Sequence, residues 1–148
     1  MAAIVTLTLS PCIDKSASVP ALVPEKKLLC SPPKLDPGGG GINAARVLKR
    51  LGLPVTAVYP SGGYSGKFLD HLVQQEGVNA LIVHAEKETR ENIIIVDESS
   101  NNQYRFGMPA NALSESEWKQ CLAAIDAIDE LNYLVVSGSV PPGVPLQL

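Results

Sequence analysis

The chain has 148 residues, 45% of them hydrophobic and 18% charged, with a formal net charge of −3 at pH 7. That length and balance suit one globular domain with a real core. Mild negative charge without a basic cluster argues against a nucleic-acid or anionic-membrane surface. No apolar run approaches the ~18 residues of a membrane helix, and the first residues lack the basic start of a signal peptide. Cys12, Cys30 and Cys121 share no pairing or zinc spacing, so they read as reduced thiols of a cytoplasmic protein. His71 and His84 have no second ligand at metal spacing, and no metal site is expected.

Residues 1–9 alternate Val5, Leu7 and Leu9 with Thr6 and Thr8, a strand pattern. Residues 15–35 are rich in Pro, Val and Leu but have no helical period. The glycines Gly38, Gly39, Gly40 and Gly41 then run straight into a helix expected over 41–51. Ala44, Val47, Leu48 and Leu51 are its expected core stripe, with Asn43, Arg46 and Arg50 on another. A strand over 55–59, a helix over 66–76 and a strand over 80–84 follow. Residues 92–98 and 103–108 read as a hairpin around Ser99, Ser100, Asn101 and Asn102. Its run Ile93, Ile94, Ile95, Val96 is apolar on both faces. Either the body covers one face and a partner the other, or the strand is central. A helix over 117–130, with Ser114 and Glu117 at capping-box spacing, and a strand over 131–136 close the pattern. Strands alternating with helices predict an α/β fold with a mostly parallel central sheet. Ligands in such sheets bind at the carboxyl ends of strands, where Asp14, residues 38–43 and residues 137–139 fall.

The glycine run is the strongest chemical signal. Glycines admit close approach of a ligand to the backbone, and a helix start adds unpaired N–H groups and partial positive charge. With Asn43 just inside the helix, the segment suits a polyhydroxylated or anionic small molecule; a linker would not be locked to a helix. Asp14, after the turn Ser10-Pro11-Cys12, can accept hydrogen bonds from two hydroxyls, each worth about 1.5–3 kcal/mol, or can simply stabilise its turn. Ser137, Gly138 and Ser139 offer donors after the last strand. Gly62-Gly63-Tyr64-Ser65-Gly66 has neither dinucleotide nor P-loop spacing and reads as a tight turn. Arg90, Lys26 and Lys27 taken alone read as solvated surface residues.

Three separated motifs, LTLSPCID at 7–14, PGGGGINAAR at 37–46 and SGSVPPG at 137–143, resemble in this order the N-terminal half of the ribokinase/PfkB carbohydrate kinases, phosphofructokinase branch. The resemblance runs through essentially the whole chain. It implies a ribokinase-like α/β fold with a small β lid built from segments near 15–36 and 90–108. It places Asp14, Gly38 to Gly41, Asn43, Gly138 and Ser139 at the sugar. Arg90 would hold the sugar's phosphate through its planar fork, with Asn92 beside it. Lys27 would lie near the transferred phosphoryl, reaching from a partner subunit in a lid-mediated homodimer. Cys12 stands where relatives commonly carry serine. Val23 and Leu29 replace an aromatic and an arginine of the minor 6-phosphofructokinases, which implies a weaker phosphate grip or another isomer.

The implied activity is ATP-dependent phosphorylation, with Mg²⁺, of a ketohexose phosphate, first of all fructose 6-phosphate. A sibling kinase for fructose 1-phosphate or tagatose 6-phosphate and a non-catalytic sugar-phosphate binding module are the alternatives. An NAD-dependent enzyme would need the missing fingerprint and its acidic ribose partner. The family's Gly-Ala-Gly-Asp motif, source of the catalytic base and anion hole, does not occur in the chain. Residues 1–148 are therefore expected to be the N-terminal part of one kinase domain, without the ATP half and inactive alone.

Overall fold

The computed structural model describes residues 3–147, so Met1 and Ala2 of the first expected strand lie outside the described residues. In chain order the elements are β1 (Ala3–Leu7), β2 (Cys12–Val19), β3 (Lys34–Gly38), α1 (Gly40–Arg50), β4 (Val55–Ser61), α2 (Gly63–Gln75), β5 (Asn79–His84), β6 (Arg90–Asp97), β7 (Asn102–Phe106), α3 (Glu115–Asp126) and β8 (Leu131–Val136). Two four-stranded sheets result. The body sheet runs β5-β4-β1-β8, all parallel, and the lid sheet runs β3-β2-β6-β7 with mixed pairing.

Alternation along the body strands feeds two cores. Val5 and Leu7 of β1 and Val58 of β4 pack with Cys121 and Ile125 of α3. Ala57 and Tyr59 point the other way and join Ile42 and Ala45 of α1 and Leu69 and Val73 of α2. A parallel sheet covered on both faces buries both sets of side chains. Thr6 and Thr8 are accordingly fully buried, although their alternation suggested a polar face. Thr8 has a use there: its Oγ1 accepts the Ile42 N–H at 2.9 Å.

That bond also sets the rotation of α1, and it corrects the expected core stripe. Gly41, Ile42 and Ala45 are buried, with Leu48 packed partly against the core. Val47 and Leu51 are 54% and 70% exposed. The first turn must press against β1, where a Cβ at Gly41 would meet the Leu7 carbonyl at 2.6 Å. No hydrophobic period reports that constraint.

The lid was only half visible in sequence. β2 and β3 occupy ends of a stretch expected to be irregular, because Cys-Ile-Asp-Lys-Ser-Ala-Ser-Val is too polar to read as a strand and β3 contains Pro37. Proline is tolerated there because β3 is an edge. The hairpin β6–β7 exists, and β2 pairs with β6 in parallel, so the doubly apolar strand is interior to the lid sheet. Helix ends moved by up to a turn. α2 begins at Gly63, its first amides capped by the Glu88 carboxylate. α3 ends at Asp126, before the left-handed Glu130 (φ 59) that leads into β8. The Ser114–Glu117 capping box is present.

Candidate active site

The two sheets meet along the carboxyl end of β1, and register brings the lid residues together there. Gly38, Cys12 and Arg90 are lateral neighbours across β3, β2 and β6; Asp36, Asp14 and Asn92 form the next row. Because side chains alternate, Arg90 and Asn92 share one face of β6. Ile94 continues that face and pairs with Arg105 on β7.

Cys12, Asp14, Arg90, Asn92 and Arg105 of these line a cavity of about 190 Å³. The lid contributes Asp14, Arg90, Asn92 and Arg105; the body contributes Gly39, Gly40, Asn43, Gly138 and Ser139. Eight of the residues singled out in sequence thus converge on one space. Gly38 and Gly41 do not line it. Gly38 makes room for the carboxylate, since a Cβ there would stand 2.5 Å from Asp14 Oδ2, and Gly41 serves the α1–β1 contact. Lys27 is exposed in the β2–β3 connection, away from the cavity wall.

Two lining residues escaped sequence reading, Ser10 of the β1–β2 turn and Arg105 of β7; Cys12, already noted as standing in place of a commoner serine, lines the cavity from the start of β2. Arg105 is the one with chemistry. Period-two alternation from Arg90 and Asn92 across the hairpin could have found it, had the register been known.

Asp14 is oriented by its neighbours. Asn92 Nδ2 donates to Asp14 Oδ1 at 3.1 Å, and the Cys12 thiol donates to the same oxygen at 3.5 Å. Asn92 Oδ1 in turn accepts the Met108 N–H at 3.0 Å. Burial, with the Asp14 charge next in size, pushes the Cys12 thiol up to about 12, so it stays protonated and acts as a donor. The Asn92 and Cys12 donors both go to Oδ1.

The glycine loop offers fewer free amides than a bare helix start. Gly41 N–H donates to the Ser137 carbonyl at 3.0 Å and Ile42 N–H to Thr8, while Asn43 N–H makes the first helical bond to Gly39. The Gly40 N–H has no acceptor among the described residues. Gly39 sits at φ 117, a conformation glycine adopts without strain. Arg46, beneath the loop, donates to the Pro37 carbonyl and to Asn43 Oδ1, and pairs with Asp36 and Glu76 at 3.1 and 2.8 Å.

Arg90 is anchored by two backbone carbonyls. Its NH1 and NH2 groups donate to the carbonyls of Met108 and Ser10 at 3.0 and 3.1 Å, tying the lid to the β1–β2 turn. Its buried Nε has no partner. Arg105 enters no ion pair among the described residues.

The fold is shared with known proteins. The family model described as pfkB family carbohydrate kinase matches residues 3–148. An ATP-dependent 6-phosphofructokinase isozyme 2 from Escherichia coli is 44% identical over 147 residues, 99% of this chain and 48% of the relative. A D-tagatose-1-phosphate kinase from Bacillus licheniformis is 30% identical, over 96% of this chain and 46% of the relative. The crystal structure of phosphofructokinase-2 from Escherichia coli in complex with fructose-6-phosphate superposes with a TM-score of 0.92 at 44% identity, covering 99% of this chain and 48% of that one. The chain spans about half the length of the curated relatives it matches.

Proposed function

The chain belongs to the pfkB family of carbohydrate kinases, and from that premise we propose that it supplies the sugar-binding half of an ATP-dependent kinase for a ketohexose phosphate, with fructose 6-phosphate as first substrate. One observation carries the reading: an acid held open for hydroxyls, Asp14, shares a cavity with two arginines fit for a phosphate, Arg90 and Arg105. The sugar's hydroxyls would bridge the sheets, bonded to Asp14 Oδ2 on the lid and to the Gly40 N–H and Asn43 on the body. The phosphate would sit against the guanidinium groups, whose charge-assisted bonds are the strong ones. At 190 Å³ the cavity is smaller than the ~300–1,000 Å³ of a complete ligand pocket, which fits a site finished by another half.

When bound, ATP with Mg²⁺ would bring the phosphoryl group and its charge neutralisation. The residues here do not fit those groups. Among the described residues no three His, Cys, Asp or Glu are grouped to hold a metal ion, and Asp14 Oδ1 already takes the Asn92 and Cys12 donors. This chain's part is binding and orientation, and no step is routed through nucleotide or metal. The three free cysteines support a reducing, cytoplasmic setting.

A homodimer through the lid completes the proposal. Ile93 pairs with Phe106, and Ile95 with Tyr104, on the face opposite Arg105; Ile93, Tyr104 and Phe106 are exposed. Burying that face in a second lid would cover it, and the exposed Lys27 could then reach the partner's site.

The sibling reading, another ketohexose phosphate such as fructose 1-phosphate or tagatose 6-phosphate, is favoured by exposed Val23 and Leu29 in the β2–β3 connection, which bring no charge to the phosphate. An ADP-release assay on the protein carrying both halves, across a panel of sugar phosphates, separates the readings. Fastest turnover of fructose 6-phosphate is expected. Equal use of unphosphorylated sugars would remove the role given to the arginines, and binding without ADP release would leave a binding module.

A further inference from the structure

Arg46 stands on α1 one turn after Asn43, outside the lining of the cavity. Its side chain is 14% exposed. NH1 donates to the Pro37 carbonyl at 3.1 Å and to Asn43 Oδ1 at 3.3 Å. NH2 donates to Asp36 Oδ1 at 3.1 Å and to Glu76 Oε1 at 2.8 Å. Each of these nitrogens carries two hydrogens, so four acceptors use them all. Nε is shielded from solvent and has no partner. Arg46 keeps no terminal donor for a ligand, and it acts on the site through the groups it holds.

Charge balance alone does not account for it. Glu76 also takes Arg50, which donates to both its oxygens at 3.1 and 2.9 Å, and Asp36 also pairs with Lys34 at 3.0 Å. Asn43 Oδ1 has no other donor among the described residues. That contact decides which end of the Asn43 amide meets a ligand. A guanidinium only donates, so the amide turns its oxygen toward Arg46; reversed, its NH2 group would face another donor. Nδ2 then remains for the cavity that Asn43 lines. The lid wall is of opposite kind, since the Asp14 carboxylate accepts, and Asp36, held by the same Arg46, is its lateral neighbour on β3.

We propose that Arg46 is a positioning residue that locks Asn43 as a hydrogen-bond donor on the body wall while holding β3 beside Asp14. A sugar hydroxyl taken between the walls accepts from Asn43 and donates to Asp14. The ligand in this statement rests on the sugar reading, whereas the locking of Asn43 does not.

The first readout therefore needs no ligand. In the protein carrying both halves, labelled at asparagine side chains, the Asn43 Nδ2 group should be rigid, with an order parameter above about 0.8. Arg46→Lys should release it to below about 0.6, and Glu76→Gln, in the same ion-pair network, should not. The second readout is calorimetry with fructose 6-phosphate. Arg46→Lys should weaken binding about tenfold in the native background and less than about twofold in Asn43→Ala, because the two act as one unit. Asn43→Asp, which replaces the donor by an acceptor and leaves Arg46 in place, should bind no better than Asn43→Ala, so the test survives if Arg46 variants fail to fold. A mobile Asn43 amide in the native protein, equal losses from Arg46→Lys in both backgrounds, or native affinity in Asn43→Asp overturns the proposal. A native protein that binds no sugar phosphate refutes the sugar reading instead, and the order parameters then decide the locking alone.

Discussion

Replacing Arg105 by alanine and Arg90 by alanine should give different patterns of loss, and the difference tests how the phosphate is held. Arg105 makes no ion pair among the described residues and lines the cavity from β7. Arg105→Ala therefore removes only a charge-assisted contact to ligand, about 1.5–3 kcal/mol, or roughly 10- to 150-fold in affinity for the phosphorylated sugar. The unphosphorylated sugar should bind as before. Arg90→Ala removes a phosphate contact and, besides, the two bonds to the Ser10 and Met108 carbonyls that fix the lid. It should weaken the phosphorylated sugar by more than Arg105→Ala does, and the unphosphorylated sugar by roughly 10-fold or more, as Asp14 loses its register with the glycine loop. Arg90→Lys should recover little, because a point charge cannot serve two carbonyls and a phosphate together. Calorimetry of both sugars on the protein carrying both halves is the measurement. Equal loss of both sugars in Arg105→Ala would refute the clamp, and loss confined to the phosphorylated sugar in Arg90→Ala would refute the strut.

Gly40→Ala would drive a Cβ against the Ser137 hydroxyl and to 2.9 Å from the Gly138 N–H, so sugar binding should fall at least about tenfold with the helix intact; unchanged affinity on calorimetry would show the loop yields. Gly39→Val should instead cost stability, about 1–3 kcal/mol by thermal melt, because φ 117 and Thr8 Cγ2 at 2.6 Å both oppose a side chain there; a wild-type melt would contradict this. Bonds from Arg46, then Arg50, hold the Glu76 carboxyl below the usual range, so its stabilisation is present above the unfolded-state pKa and is lost as pH falls through the lower folded value. Glu76→Gln should thus lower the melting temperature at pH 7 and matter progressively less under acid, and a pH-independent difference would refute the linkage. Tyr104→Lys with Phe106→Lys should give monomers in sedimentation if the lid face meets a second copy; a native protein already monomeric at tens of micromolar, roughly where a standard interface is occupied, would refute the dimer.

The body was largely legible because each element carried its own punctuation. Ser114 and Glu117 announced α3, and the apolar run of β8 matched its bounds. The lid was not, because its strands are defined by partners. β2 gains its identity from β3 and β6, far away in sequence, and its own residues alternate weakly. The same distinction divides the site. Asp14, Gly39, Gly40 and Asn43 stood next to recognisable turns, whereas Arg105 depends on hairpin register and Thr8 on a buried contact that composition does not betray. The glycine run was read as the close approach of a ligand; the close contacts present at Gly38, Gly39, Gly40 and Gly41 are all with the protein's own atoms.

The chain passes between body and lid four times: after β1, after β3, after β5 and after β7. Two of those passages, the Ser10–Cys12 turn and the Gly38–Gly39 step, border the cavity itself. On the proposed reading, a sugar held by Asp14 on one side and Gly40 on the other would span the joint between the two sheets. Were the lid to rock about these passages, contacts beside them would shift little while the β6–β7 tip swept a longer arc, so affinity and opening amplitude would be set by different residues.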